Sequence, residues 1–291
     1  MIKPLFLILM SSLTLSCATQ IKQQRTVSSV MTKEQLYQNF LADEYEALLV
    51  ESFDFQQQSV NLCKYVAGIS KSPVNKKVVL TFDDGPSSPN TLKVLQTLRK
   101  HNIKATFFMK GSAASVYPEI VKQVVNEGHI VGNHSYTHPT FPLIEESKQD
   151  SEIKNADKLL YKYMRPGLRM FRFPYGSSTC HAIDYAIETL KYTGILGWHV
   201  DTCDWAFQKT GTVTSEVGLR DCGIKKENIS NYVGHVLEQT NARSGGIILM
   251  HETNNRTVSY LEEVIVKLKG QGYRFVNMDD PEMVQYIKRS K

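Results

Sequence analysis

The chain has 291 residues, of which 42% are hydrophobic and 22% charged. That is the balance of a globular protein with a sizeable core, long enough for one large domain plus an appendage. The formal net charge is only +5, and the basic residues are scattered without an aromatic-interleaved stripe, so no nucleic acid partner is expected.

Residues 1–17 read as an export signal. Lys3 provides a positive start, Pro4 to Met10 is an apolar run too short to span a bilayer, and Leu13-Thr14-Leu15-Ser16-Cys17 closes it. This ending is similar to a bacterial lipoprotein cleavage box, with Thr14 where an aliphatic residue is usual; an ordinary secretory signal is the alternative. Acylation of Cys17 would anchor the protein to a membrane, with the chain in the periplasm or cell envelope. In that oxidising setting Cys63, Cys180, Cys203 and Cys222 form an even set, whose pairing the sequence leaves open.

Residues 18 to about 30 are polar and aperiodic, as in a tether. From Thr32 to about Val66 a helical extension is expected, with Thr32-Lys33-Glu34-Gln35 as its cap and Leu36, Phe40, Leu41 and Tyr45 at helical spacing. Residues 75–291 form the main domain. There the pattern alternates between apolar strands (76–83, 105–109, 128–134, 170–173, 194–201, 245–251 and 273–276) and helices (92–98, 118–127, 150–164, 181–192 and 260–269). This is the signature of parallel strands with crossover helices, and a barrel-like α/β domain is its simplest architecture. The strands repeatedly end in Asp, His or Arg, which a barrel would gather at one mouth.

Five of those strand ends carry chemistry. Thr81-Phe82-Asp83-Asp84-Gly85-Pro86 places two carboxylates where a strand stops and the backbone turns. His134-Ser135-Tyr136-Thr137-His138 sets two imidazoles four residues apart, a spacing that a helical turn would bring onto one face. Two His and one carboxylate leave positions open on a metal, as a catalytic site requires. Arg172-Phe173-Pro174-Tyr175-Gly176 offers a guanidinium for two-point contact with a carboxylate, beside a turn that can aim a backbone N–H. Asp201-Thr202-Cys203-Asp204-Trp205 adds two carboxylates and an apolar surface. His251, at the end of Ile247-Ile248-Leu249-Met250, titrates in the range of an acid catalyst.

In this order these segments resemble the motifs of the polysaccharide deacetylase (NodB-like) family, carbohydrate esterase family 4, from about Lys77 to Met278. The resemblance implies a distorted (β/α) barrel that removes acetyl groups from sugar polymers. It also implies a role for each matching residue. Asp83 is expected as general base, and Asp84, His134 and His138 as ligands of one divalent metal, zinc before cobalt or nickel. Arg172 would orient Asp83, the Tyr175 N–H would face the oxyanion, and His251 would be the general acid. Asp204 would tune His251, with Asp201 the runner-up, and Trp205 and Leu249 would wall the acetyl pocket. For an exported, lipid-anchored protein the expected substrate is the N-acetylglucosamine of peptidoglycan. Chitin oligosaccharides, another acetylated glycan, or a non-catalytic glycan-binding module are the alternatives. No protein partner is expected.

Overall fold

The computed structural model describes residues 68–69, 76–207, 211–213 and 222–287. The expected signal with Cys17, the tether, the helical extension and Cys63 lie outside these residues. Among the described residues, no helix is long and apolar enough to cross a membrane.

Strand β1 (Lys77–Asp83) is buried along its whole length. A parallel strand covered on both faces needs a continuous apolar run rather than an alternating one, and Val78-Val79-Leu80 supplies it. Around it lie β2 (Thr106–Met109), β3 (Ile130–Asn133), β4 (Met170–Phe171), β5 (Gly194–Ile195), β6 (Val200–Asp201), β7 (Gly246–His251) and β8 (Arg274–Phe275). The hydrogen-bonded order is β5-β4-β3-β2-β1-β7-β6, with β8 against the start of β1. Every pairing is parallel. Successive side chains on a strand face opposite ways. One set (Val79, Phe108, Ile130, Met170, Leu196 and Ile247) packs together on one face of the sheet, and a larger cluster joins the other face to the helices.

The helices are α1 (Asn90–Lys100), α2 (Gly111–Val116), α3 (Pro118–Asn126), α4 (Glu146–Leu160), α5 (Cys180–Asp184), α6 (Asp204–Phe207), α7 (Tyr232–Arg243), α8 (Asn255–Gly270) and α9 (Pro281–Val284). Helix α1 buries Thr91, Val94, Leu95 and Leu98, and α3 buries Ile120, Val121 and Val124, the stripes expected of helices covering a sheet. Helix α4 starts and stops earlier than the apolar pattern suggests, because its first turn (Glu146, Ser147, Lys148) has no apolar residue to mark it. Helix α8 likewise begins five residues before Tyr260, where the Asn254 side chain accepts from the Arg256 N–H at 2.8 Å. Helix α7 has no counterpart among the expected elements, since His235 and Thr240 sit on its buried face and break the apolar period.

One expected strand is two. The run 194–201 splits into β5, paired with β4, and β6, paired with β7, at opposite ends of the strand order. Residues 196–199 cross between them, Leu196 N–H donating to Phe171 O and His199 N–H to Ile247 O, both at 2.9 Å. A bend at His199 leaves the apolar run unchanged, so periodicity could not reveal the break. Gly68 and Ile69 pair with this crossing segment at Trp198.

Candidate active site

Strand β1 ends at Asp83, and Asp84 takes φ = +78°, a left-handed backbone that reverses the side-chain direction and that Asp tolerates better than most residues. The turn continues through Gly85, where a Cβ would lie 1.7 Å from Oε1 of Glu252. Any side chain here would require the buried Glu252 carboxyl group to move.

The two imidazoles do not share a helical turn, which corrects the expectation from their spacing. His134 follows the end of β3, and Ser135 and His138 have φ of +64° and +71°. The loop itself brings the rings to a centroid distance of 4.9 Å. Its backbone is fixed from both sides. Ser135 N–H donates to Asn133 Oδ1 at 2.8 Å, and His138 N–H donates to Ser135 Oγ at 3.0 Å. Glu152 of α4, only 1% exposed, receives Tyr136 N–H at 3.0 Å, Thr137 N–H at 2.6 Å and the Thr137 hydroxyl at 2.8 Å.

Ligand atoms of Asp84, His134 and His138 all lie within 4.8 Å of one another. Asp84 Oδ1 is 3.4 Å from His138 Nε2 and 3.9 Å from His134 Nε2, and this buried oxygen has no hydrogen-bond partner. His134 Nδ1 donates to Arg172 O at 2.8 Å, which leaves its Nε2 lone pair for a ligand. Burial pushes both imidazoles down to about 4, so they are neutral at neutral pH. Burial acts to raise Asp84, but His138, His251, His134 and Lys110 together hold it below the usual carboxylate range. An ionised orphan oxygen facing two neutral imidazoles is a donor set that suits a divalent cation such as zinc.

Arg172 is fully buried. It does not clamp a carboxylate at two points, contrary to expectation. Nη1 donates to Asp83 Oδ1 at 2.7 Å and to Thr81 Oγ1 at 2.8 Å, while Nε and Nη2 donate to the carbonyls of Leu196 and Gly197. The crossing segment leaves those two carbonyls without a ladder partner, and the guanidinium supplies one. Burial raises the Asp83 carboxyl, and the charge of Arg172 opposes that shift.

On the other side of β1, His251 closes β7, and its Cα is in register with that of Asp83. Its Nδ1 meets Asp204 Oδ1 at 2.7 Å. Asp204 is fully buried and also receives the N–H groups of His251 and Trp205 and the Thr257 hydroxyl. Burial disfavours the imidazolium, yet the Asp204 pair outweighs it and pushes His251 up to about 10. Asp201 instead accepts from Cys203 N–H, and burial pushes it up to about 6. The carboxylate that touches His251 is therefore Asp204.

Tyr175 has φ = +55°, is 66% exposed and sets its ring edge-on to His138 at 4.6 Å. Trp205 is 42% exposed, and Leu249 is buried two residues before His251, on the same face of β7. Cys203 is disulfide-bonded to Cys222, and Cys180 is also in a disulfide.

Sequence reasoning passed over Glu152, Glu252, Thr81 and Lys110. A charged residue beside Ile153 on a buried helix face marks Glu152. Lys110 follows the apolar strand Thr106–Met109, the same strand-end position that picked out Asp83 and His251.

A sequence model of the polysaccharide deacetylase family matches residues 70–195. A peptidoglycan-N-acetylglucosamine deacetylase of Bacillus cereus is 35% identical over 233 residues, covering 78% of this chain and 75% of its own length. The crystal structure of the Bc1960 peptidoglycan N-acetylglucosamine deacetylase superposes with a TM-score of 0.58 at 31% identity, over 75% of this chain and 93% of that one. BA3943 of Bacillus anthracis, described as a family 4 pseudoenzyme, superposes with a TM-score of 0.57 at 25% identity, over 72% and 66% of the two chains. The fold alone is thus shared with a protein described as a pseudoenzyme. By its motifs, by its parallel (β/α) sheet and by identity to relatives matched over most of their length, this chain belongs to the polysaccharide deacetylase family.

Proposed function

We propose that this protein is a metal-dependent hydrolase that removes the acetyl group from N-acetylglucosamine residues of peptidoglycan. One observation carries the reading: Asp84, His134 and His138 converge beside Asp83, with the His251–Asp204 pair on the adjoining strand end. The relatives named for peptidoglycan support this substrate over chitin or another acetylated glycan. The grouping of Asp83, the His251–Asp204 pair and the Asp84, His134 and His138 set supports this reading over a non-catalytic module.

Asp84, His134 and His138 would hold the metal. Bound there, a divalent ion would polarise the acetyl carbonyl and acidify a water, and zinc is the first choice for two nitrogens and an oxygen. Asp83, steadied by Arg172, takes the proton of the attacking water as its oxygen bonds to the carbonyl carbon. The backbone N–H of Tyr175 faces the carbonyl oxygen as negative charge builds on it. His251 holds a proton on the nitrogen not engaged by Asp204 and passes it to the amide nitrogen as the C–N bond breaks. Acetate and a free amine leave. Trp205 and Leu249 wall the space for the methyl group.

Acetate release from purified peptidoglycan and from chitotetraose, with and without chelator, tests the activity. Asp83→Asn keeps the shape but cannot take a proton. It is expected to retain one metal per chain and to lose at least about a hundredfold in kcat. Near-normal turnover by that variant would remove Asp83 from the role of base, and metal retention by Asp84→Ala would remove Asp84 from the ligand set.

A further inference from the structure

Lys110 stands at the carboxyl end of β2, next to the turn that carries Asp84. Its place is set by the sheet: Lys110 N–H donates to Gly85 O at 2.9 Å, and Asp84 N–H to Phe108 O at 3.2 Å. Its ammonium lies 3.7 Å from Asp84 Oδ1, with the side chain 28% exposed. Asp84 is the sole ion-pair partner of Lys110 among the described residues. That same oxygen faces the two histidines and has no hydrogen bond. The ammonium and a divalent ion therefore compete for one oxygen.

Carboxylates gather at this mouth, with Asp83 and Asp84 at the end of β1 and Asp201 at the end of β6, two strands away. Arg172 is sealed beneath it by hydrogen bonds to Asp83, Thr81 and the crossing segment. Besides the His251 imidazolium, which pairs with Asp204, Lys110 is a cation at this mouth with its side chain partly open to solvent. When a divalent ion takes Asp84 Oδ1, the lysine loses its partner and is repelled by the new charge. An anion arriving with the substrate then becomes its partner.

We propose that Lys110 is a specificity residue with two successive partners: Asp84 while the site lacks metal, and a carboxylate of the glycan substrate once the ion is in place. The second half rests on the peptidoglycan reading, since that polymer carries carboxylates on its lactyl-peptide branches and chitin carries none. No bond is made or broken in the exchange.

The test uses the full chain with Lys110→Met, which keeps length and apolar stem, and Lys110→Arg, which keeps the charge. Cobalt titrated into metal-free protein by calorimetry reads the first half without any substrate. The Met variant is expected to bind cobalt on the order of tenfold more tightly than wild type, with Arg close to wild type. Equal cobalt affinities in all three proteins overturn the competition for Asp84. The second half is read as kcat/KM on a muropeptide tetrasaccharide with free carboxylates, on the same compound with amidated carboxylates, and on chitotetraose. The Met variant is expected to lose about tenfold on the free acid and less than twofold on the other two, with Arg restoring the loss. An equal loss on all three substrates, or none on the free acid, overturns it. A wild type that releases acetate from none of them sinks the proposed function instead, and the cobalt arm still decides the first half.

Discussion

Asp204 is the buried carboxylate on which His251 depends, and its two oxygens meet the imidazole, two backbone N–H groups and one hydroxyl. Burial opposes the imidazolium of His251, and chiefly Asp204 lifts it to about 10. The acid form is the protonated one, so activity should persist as pH rises and fall only as it nears 10. In Asp204→Asn the pair loses its charge while keeping its shape. The alkaline limb of the pH–rate profile is then expected to move down by at least about two units, toward the ordinary imidazole value of about 6.5. An unmoved limb would mean that another group sets it. The sequence made both Asp204 and Asp201 candidates because Asp201 ends β6 and Asp204 follows it by three residues. Only the turn at Cys203, with φ = +50°, decides which of them faces His251, and that angle leaves no compositional trace. The Arg172–Asp83 pair was legible, but the other donors of Arg172 were not, since their carbonyls are freed by a crossing that no pattern marks.

At the scale of the element, the loop between β3 and α4 shows what spacing can and cannot reveal. A four-residue spacing of the histidines is enough to bring both rings to Asp84, yet a turn held by Glu152 does this rather than a helix. Removing that carboxylate in Glu152→Ala takes the partner from two part-buried N–H groups, at a cost of about 0.5–1.5 kcal/mol each. Metal affinity is expected to fall by tenfold or more, because the loop that aims His138 loses its clamp. Glu152→Gln can accept the two N–H bonds with its carbonyl and donate to Thr137, so it should recover most of the loss. Cobalt titration with parallel melting curves checks this. A Glu152→Ala protein that binds cobalt like wild type would show that the loop holds itself. The strands and most helices were legible because sheet-covering elements repeat apolar residues at fixed periods. Helix α7 and the split of 194–201 were not, for one hides polar residues on its buried face and the other bends without changing its composition.

For the whole molecule, the proposed site of action follows from the first seventeen residues, read as an export signal ending at a lipidated Cys17. Cys17→Ser is expected to shift the protein from the membrane fraction to the soluble fraction and to abolish labelling with a fatty-acid analogue. An unlabelled, soluble wild type would indicate an ordinary secretory signal. The segment 194–201 has a different consequence, one of cooperativity. A row of strands with two free ends can fray inward from either end, losing its amide protection strand by strand. Here the terminal strands β5 and β6 are consecutive parts of one short segment, so loosening one pulls on the other. Arg172 adds to this by binding the middle of that segment to Asp83 on the central strand. In native-state hydrogen exchange, the amides of Leu196 and His199, though outside any strand, should therefore exchange as slowly as those of β1 and β7. Fast exchange at these two positions, with β1 still protected, would mean that the ends of the sheet open independently.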